Sequence, residues 1–406
     1  MDQGLRRRLD TKDAVVIGLG AMLGAGVFAA FGPAAGAAGG WLPLALAIAA
    51  GVAYCNATSS ARLAAIYPSS GGSYVYGRER LGPFWGYLAG WTFIVGKTAS
   101  CAAMALTFAA YAAPGFARPA AVIAVLALTA IDYFGVQRSV QATRIIVAVV
   151  LAVLLTVVVA AAAGPHAPHA GLGGELRPAG VLQAAGLLFF AFAGYARIAT
   201  LGEEVRDPAR VIPRAVRIAL AVVLVVYAAV AVAVLAALGP DRLATVVAPL
   251  AEAVPGRLAP VVRTGAAVAA LGALLALLLG VSRTGLAMAR DGHLPRALAA
   301  VHPRHGVPHR AEVAVGLVVA VLAATAGLRG TIGFSSFGVL LYYAIANASA
   351  FTLPRTSRVV PVAGLAGCLL LAATLPLRSA VAGAAVVALG ALVYAVRRRA
   401  SGPVNR

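Results

Sequence analysis

Residues 18–28 read Gly18-Leu19-Gly20-Ala21-Met22-Leu23-Gly24-Ala25-Gly26-Val27-Phe28. Every side chain here is apolar or absent, so the stretch suits hydrocarbon. Yet each glycine weakens a helix by up to about 1 kcal/mol relative to alanine. Gly24-Ala25-Gly26 falls near the middle of the apolar run 14–39. In lipid, unwound backbone persists only where protein buries it or where it lines a wet cavity. A second such place is Phe189-Phe190-Ala191-Phe192-Ala193-Gly194-Tyr195-Ala196, with Gly194 at a similar depth in the run 180–202. Two interrupted helices in corresponding positions of two halves are the pattern of a transporter site at the bilayer midplane. Close helix packing is the competing explanation. Gly20 with Gly24, or Gly82 with Gly86 and Gly90, also makes a small-xxx-small face. Spacing alone leaves both open.

The chain around these stretches is that of an integral membrane protein. Of 406 residues, 61% are hydrophobic and 11% charged, and the mean hydropathy is +0.91. Soluble domains carry about 25% charged residues, so a soluble multidomain enzyme, a coiled coil and a disordered chain are excluded. A membrane-crossing helix needs about 20 mostly apolar residues. Twelve runs qualify: 14–39, 41–66, 83–113, 119–135, 142–163, 180–202, 214–237, 257–289, 311–327, 332–352, 359–376 and 379–396. The first is too long for a cleaved signal and follows Arg6, Arg7 and Arg8, so it is expected to stay as a span.

The expected fold is all-α with 12 transmembrane helices, helices 1 and 6 being broken. Residues 1–13 form an N-terminal segment, and 14–163 and 180–352 form two inverted repeats of five spans. Spans 11 and 12 are appended over 359–396, and 397–406 is a tail. Short connections leave no room for a second soluble domain.

The formal charge of +20 resides in the connections. With the N-terminus inside, 24 of the 33 Lys and Arg residues fall on the cytoplasmic side and seven outside. Lys97 and Arg197 lie within runs. The positive-inside rule therefore places both termini in the cytoplasm, and the charge needs no nucleic acid partner. The bias of 31 Arg to 2 Lys points to a GC-rich genome, and the lack of transit features to a bacterial plasma membrane.

Cys55, Cys101 and Cys368 all sit in apolar stretches without paired spacing, so they read as small buried hydrophobes. The histidines His166, His169, His293, His302, His305 and His309 fall in expected loops. His302, His305 and His309 have loose metal-like spacing but lack partners, and HExxH is absent. Neither a membrane-embedded enzyme nor a metal or cofactor site is expected.

Four stretches resemble the amino acid–polyamine–organocation (APC) superfamily of permeases. Gly24-Ala25-Gly26-Val27-Phe28 is similar to the family's Gly-Ser/Ala-Gly-Ile/Val-Phe. Pro68-Ser69-Ser70-Gly71-Gly72-Ser73-Tyr74-Val75-Tyr76, continuing through Arg78-Glu79 to Gly90-Trp91, resembles its loop into helix 3. The third runs from Phe189 to Tyr195, then through Glu203-Glu204-Val205-Arg206-Asp207-Pro208 and Ile212-Pro213-Arg214-Ala215. Met288-Ala289-Arg290-Asp291-Gly292-His293-Leu294-Pro295 is the fourth. The resemblance covers nearly the whole chain. It implies the five-plus-five (LeuT-like) fold, amino acids or related amines as substrates, and alternating access.

An amino acid's carboxylate and ammonium must both be satisfied away from water. A half-helix N-terminus offers free N–H groups and positive dipole, so the amides of Ala25, Gly26 and Val27 suit the carboxylate, with Gly24 admitting the ligand. Carbonyls at the ends of the other half-helices suit the ammonium. The resemblance assigns this part to Met22, Phe190 and Ala193, beside Ala191 and Gly194, and makes Phe190 an aromatic gate; ordinary packing is the other reading of Phe190. Small Ala25, Ala191 and Ala193 favour neutral or hydrophobic substrates. Many family members carry an acid two positions after the span-6 glycine. Here Ala196 and Arg197 follow, which disfavours cationic substrates. Arg197 is expected to pair with Glu204, seven residues on; contact with the ligand is the alternative.

Lys97 lies about 14 residues into its run, roughly 20 Å from either end at 1.5 Å per residue, too far to snorkel. No acid is expected at its depth, Asp132 being near a cytoplasmic end. Lys97 could couple protons, contact an anionic substrate group, or bond to carbonyls of a broken helix. Some family members place a coupling lysine in span 5; this chain has Ala148 near that point, so Lys97 is the candidate substitute. Sodium is less favoured, since Leu271 to Gly280 carries no hydroxyl and Ser282 comes late. The expected function is secondary active amino-acid transport, proton-coupled, with the bilayer as environment. An exchanger, a channel or a non-transporting sensor of the same fold would share these features. Oligomeric state leaves no mark on the sequence.

Overall fold

At Gly24 one helix ends and another begins, as the glycine pattern implies. The computed structural model describes residues 9–68, 71–135, 140–165, 167, 175–354 and 357–400. Arg6, Arg7, Arg8, Ser69, Ser70, Arg138, His166, His169, Arg355 and Arg406, which entered the charge, motif and histidine readings, lie outside the described residues. The helices are α1 (Thr11–Met22), α2 (Ala25–Ala29), α3 (Phe31–Ala38), α4 (Leu42–Ile66), α5 (Ser73–Leu81) and α6 (Pro83–Ala112). Then follow α7 (Ala117–Tyr133), α8 (Val140–Ala163), α9 (Pro178–Phe192), α10 (Ala196–Ala199), α11 (Pro208–Thr245) and α12 (Pro249–Glu252). The last are α13 (Ala259–Arg290), α14 (His309–Thr325), α15 (Leu328–Phe351), α16 (Val359–Thr374) and α17 (Leu377–Ala400).

Boundaries follow local chemistry. Proline opens α6, α9, α11 and α12, where its missing N–H is one the helix would leave unpaired anyway. Gly82, at φ +106°, takes a conformation closed to most L-residues and separates α5 from α6. Asp10 caps α1: its carboxylate accepts from the Asp13 amide at 2.9 Å, and Asp13 accepts from the Asp10 amide at 3.3 Å.

The twelve-span expectation is met in part. Among the described residues, ten helical segments are long and apolar enough to cross a membrane. Two expected spans are shorter helices: α14, of 17 residues for 311–327, and α16, of 16 residues for 359–376. At 1.5 Å per residue each is about 25 Å long, below a 30 Å hydrocarbon core. Arg310 and Glu312 in its first turn further shorten the apolar part of α14. The first span also ends earlier than 14–39. It covers Thr11–Ala29, and the next segment starts at Phe31 and runs to Ile66. The long α11 bends at Gly239 (φ +71°), just past the expected run 214–237.

The core gathers around the broken helices. α1 packs against α11 and α8, α9 against α4 and α3, and α6 against α13 and α15. Lys97 on α6 and Tyr343 on α15 therefore face the same interior.

Candidate functional site

The two breaks lie against each other. After α1, Leu23 leaves helical geometry and Gly24 caps α2 without any side-chain hydrogen bond. After α9, a single 3-10 turn, Ala193–Tyr195, leads into the four-residue α10. A Cβ on Gly26 would stand 2.6 Å from the Cα of Ala191, and one on Gly194 would strike the carbonyl of Ala21. A Cβ on Gly24 would lie 2.5 Å from that of Ala273 on α13. The glycines thus permit backbone-to-backbone approach of the broken helices. Close packing and helix interruption, posed as alternatives from spacing, occur together.

All the expected site residues meet here: Met22, Gly24, Ala25, Gly26, Val27, Phe190, Ala191, Ala193 and Gly194 flank the two breaks, and all but Gly194 are buried. Phe190 is 7% exposed at the end of α9.

Two of the three carbonyls expected to meet a ligand's ammonium, those of Met22 and Ala193, already have side-chain donors. The Tyr227 hydroxyl, on α11, lies 2.5 Å from the Met22 carbonyl and 3.1 Å from that of Ala191. One phenolic proton is thereby shared between both breaks. The Ala193 carbonyl accepts from Lys97 Nζ at 3.2 Å and from the Tyr343 hydroxyl at 3.3 Å. Lys97 itself is 6% exposed. A buried amine requires an acceptor, and here it is the broken backbone of span 6. Tyr227 and Tyr343 were missed by sequence reasoning. The signal was present for Tyr227, which carries the only polar side-chain atom between Arg217 and Gly239; a buried phenol seeks a partner.

A polar patch adjoins the site. The ring of Tyr343 stacks on Tyr195 at 4.8 Å. One turn along α15, Asn347 donates to the side-chain carbonyl of Asn56 at 2.6 Å and to the Tyr343 carbonyl at 3.0 Å. Cys368 also donates to Asn56, at 3.3 Å, so it is more than the apolar filler expected. Cys101 is buried and Cys55 partly so, both free thiols.

Ties close the bundle at either end. Tyr111, at the end of α6, donates to the Phe28 carbonyl at 2.9 Å and accepts from the Leu250 amide at 3.3 Å. At the other end Leu9 bridges to Val205, through Leu9 N–H to Glu204 O at 3.0 Å and Arg206 N–H to Leu9 O at 3.1 Å. Asp13 pairs with Arg144 at 2.6 Å. Arg197 does pair with Glu204, at 3.6 Å. Their contact does not come from a shared helical face, because α10 stops at Ala199 and the chain turns back.

Near that end, the Tyr74 hydroxyl donates to Asp291 and lies 2.9 Å from His293 Nδ1. Burial, with Asp291 alongside, raises the Tyr74 phenol well above its ordinary range. Burial lowers the His293 imidazole below its usual 6.5, against the pull of Asp291. His309 opens α14 and is not in a loop as expected.

Among known proteins, the family described as amino acid permease matches residues 9–399. An uncharacterized transporter of Mycobacterium tuberculosis is 67% identical over 404 residues, covering 97% of this chain and 92% of the relative. A branched-chain amino acid permease of Bacillus subtilis is 28% identical over 393 residues, covering 89% and 83%. A methylthioribose transporter of Bacillus subtilis is 27% identical over 452 residues, covering 100% and 96%.

Proposed function

The chain belongs to the amino acid permease family of membrane transporters, and from that premise we propose that it accumulates neutral or hydrophobic amino acids by proton symport and alternating access. Its family implies the LeuT-like arrangement, in which two five-span repeats of inverted topology are followed by two further spans. The charge distribution supports cytoplasmic termini in a bacterial plasma membrane.

The carboxylate would meet the amides of Ala25, Gly26 and Val27, where α2 starts with no side-chain cap. The small side chains of Ala25, Ala191 and Ala193 suit an aliphatic substrate, and Phe190 would close over it. The observation that carries the coupling proposal is the bond from Lys97 to Ala193. In symport the proton and the substrate are carried together: a protonated Lys97 held at the Ala193 carbonyl would fix the span-6 break in the shape that receives substrate. Loss of that proton on the cytoplasmic side would free the break and release the substrate, so proton and substrate travel in the same direction.

Uptake into proteoliposomes tests this, using a labelled amino-acid panel in sodium-free buffer, with and without an inward proton gradient. Saturable, gradient-driven accumulation of branched-chain or other neutral amino acids is the expected result. The resemblance to a methylthioribose transporter makes methylthioribose the essential competitor. Its uptake in place of any amino acid would overturn the substrate class. Uptake only against preloaded substrate would replace symport with exchange.

A further inference from the structure

Two carboxyl groups are buried outside the helix breaks: Asp132 on α7, 1% exposed, and Glu312 on α14, 3% exposed. No other Asp or Glu is buried among the described residues. None of their four carboxyl oxygens has a hydrogen-bond donor among those residues.

Packing sets the two acids face to face. The helices run antiparallel, with Thr129 of α7 against Gly316 of α14: a Cβ on Gly316 would stand 3.0 Å from that of Thr129. Further along, the Tyr133 ring meets His309 edge-on at 6.0 Å. Asp132 is three residues beyond Thr129, and Glu312 is four residues before Gly316. Each shift is one helical turn along the same face, so Asp132 and Glu312 fall between these two contacts.

We propose that Asp132 and Glu312 carry one proton between them, making the α7–α14 pair a protonation site separate from the substrate site. The charges around them support it. Each acid lies within electrostatic reach of Arg283 on α13, and Asp132 within reach of Glu312. Arg197, which also faces Arg283, already has Glu204 as its partner. From α6 the group facing Asp132 is the neutral thiol of Cys101, with Lys97 one turn away. On α14 His309 is the other titratable group beside them, and from the preceding loop the rings of His302 and His305 pack on Tyr133, next to Asp132. Arg296, in the turn packed on α14, is exposed to solvent, as is Arg283. One guanidinium offsets one carboxylate. A second buried anion beside the first would face both desolvation and like-charge repulsion, and a single bound proton removes it. Loss of that proton sets two anions between α7 and α14 and works the helices apart.

The test needs no transported substrate. Infrared spectra of the full chain in lipid are recorded against pH for wild type, Asp132→Asn, Glu312→Gln and the double variant. A protonated-carboxyl C=O stretch, shifting in deuterium oxide, is expected in the wild type at neutral pH. Either single substitution should move its frequency and shift its titration midpoint by about one pH unit or more, as interacting acids do. The double variant should lack it. Absence of the band from the wild type at neutral pH, or its persistence in the double variant, would overturn the proposal.

Discussion

The hydroxyl of Tyr227 lies 2.5 Å from the carbonyl of Met22, and the same oxygen is 3.1 Å from that of Ala191. One side chain on α11 thus holds both broken helices beside their interruptions. Removing the hydroxyl leaves two buried carbonyls short of a donor, and an orphaned buried group costs about 1–3 kcal/mol. Tyr227→Phe should lower the thermal unfolding midpoint measured in detergent. Tyr54→Phe, on an exposed side chain, should leave it unchanged.

Gly26 is expected to be intolerant for a steric reason. Its Cβ would sit 2.6 Å from a backbone atom, the Cα of Ala191, which cannot rotate away. Gly26→Ala should abolish substrate binding by forcing the breaks apart. Gly280, in the middle of α13, has nothing within 4 Å of its would-be Cβ. Gly280→Ala should therefore bind normally and gain about 0.5–1 kcal/mol from helix propensity. Scintillation proximity binding, with thermal unfolding on the same samples, checks both.

His293 gives the pH dependence a sign. Burial lowers its folded-state affinity for a proton below the ordinary 6.5. The unfolded chain therefore binds more protons in the interval beneath 6.5. Its contribution is complete above pH 6.5 and declines as pH falls through that interval. Protection factors of the amides in the Asp291–Leu294 turn, which correct for the intrinsic slowing of exchange in acid, should fall on acidification, and His293→Gln should remove the fall.

The ion pair between Arg197 and Glu204 should matter little to stability. The two are 3.6 Å apart, with side chains 43% and 34% exposed, and pairs of this kind contribute 0–1 kcal/mol. Glu204→Gln should leave the unfolding midpoint within error of wild type. A large loss would assign Glu204 a role beyond the pair.

Much of the fold was legible because hydrocarbon restricts what a chain can do. Long apolar runs must be helices, and glycines at 24, 26 and 194 mark where two of them stop. The span count was less legible, since α14 and α16 lie at the lower edge of membrane-crossing length. Lys97 stood out as a charge with no route to water, but its acceptor did not, because a carbonyl on another helix leaves no trace in residue identity. Asp132 was read as lying near a helix end, and it is the penultimate residue of α7; its burial was not legible, because the covering helix α14 is distant in sequence.

Proton movement accompanying uptake is the most direct test of coupling at Lys97. A pH-sensitive dye trapped in the vesicles should report acidification when neutral amino acid enters the wild-type protein. In Lys97→Ala, labelled substrate should still exchange by counterflow, while the acidification and the uphill accumulation are both lost. Full gradient-driven accumulation in Lys97→Ala would contradict coupling at this residue and leave its bond to Ala193 a purely structural one.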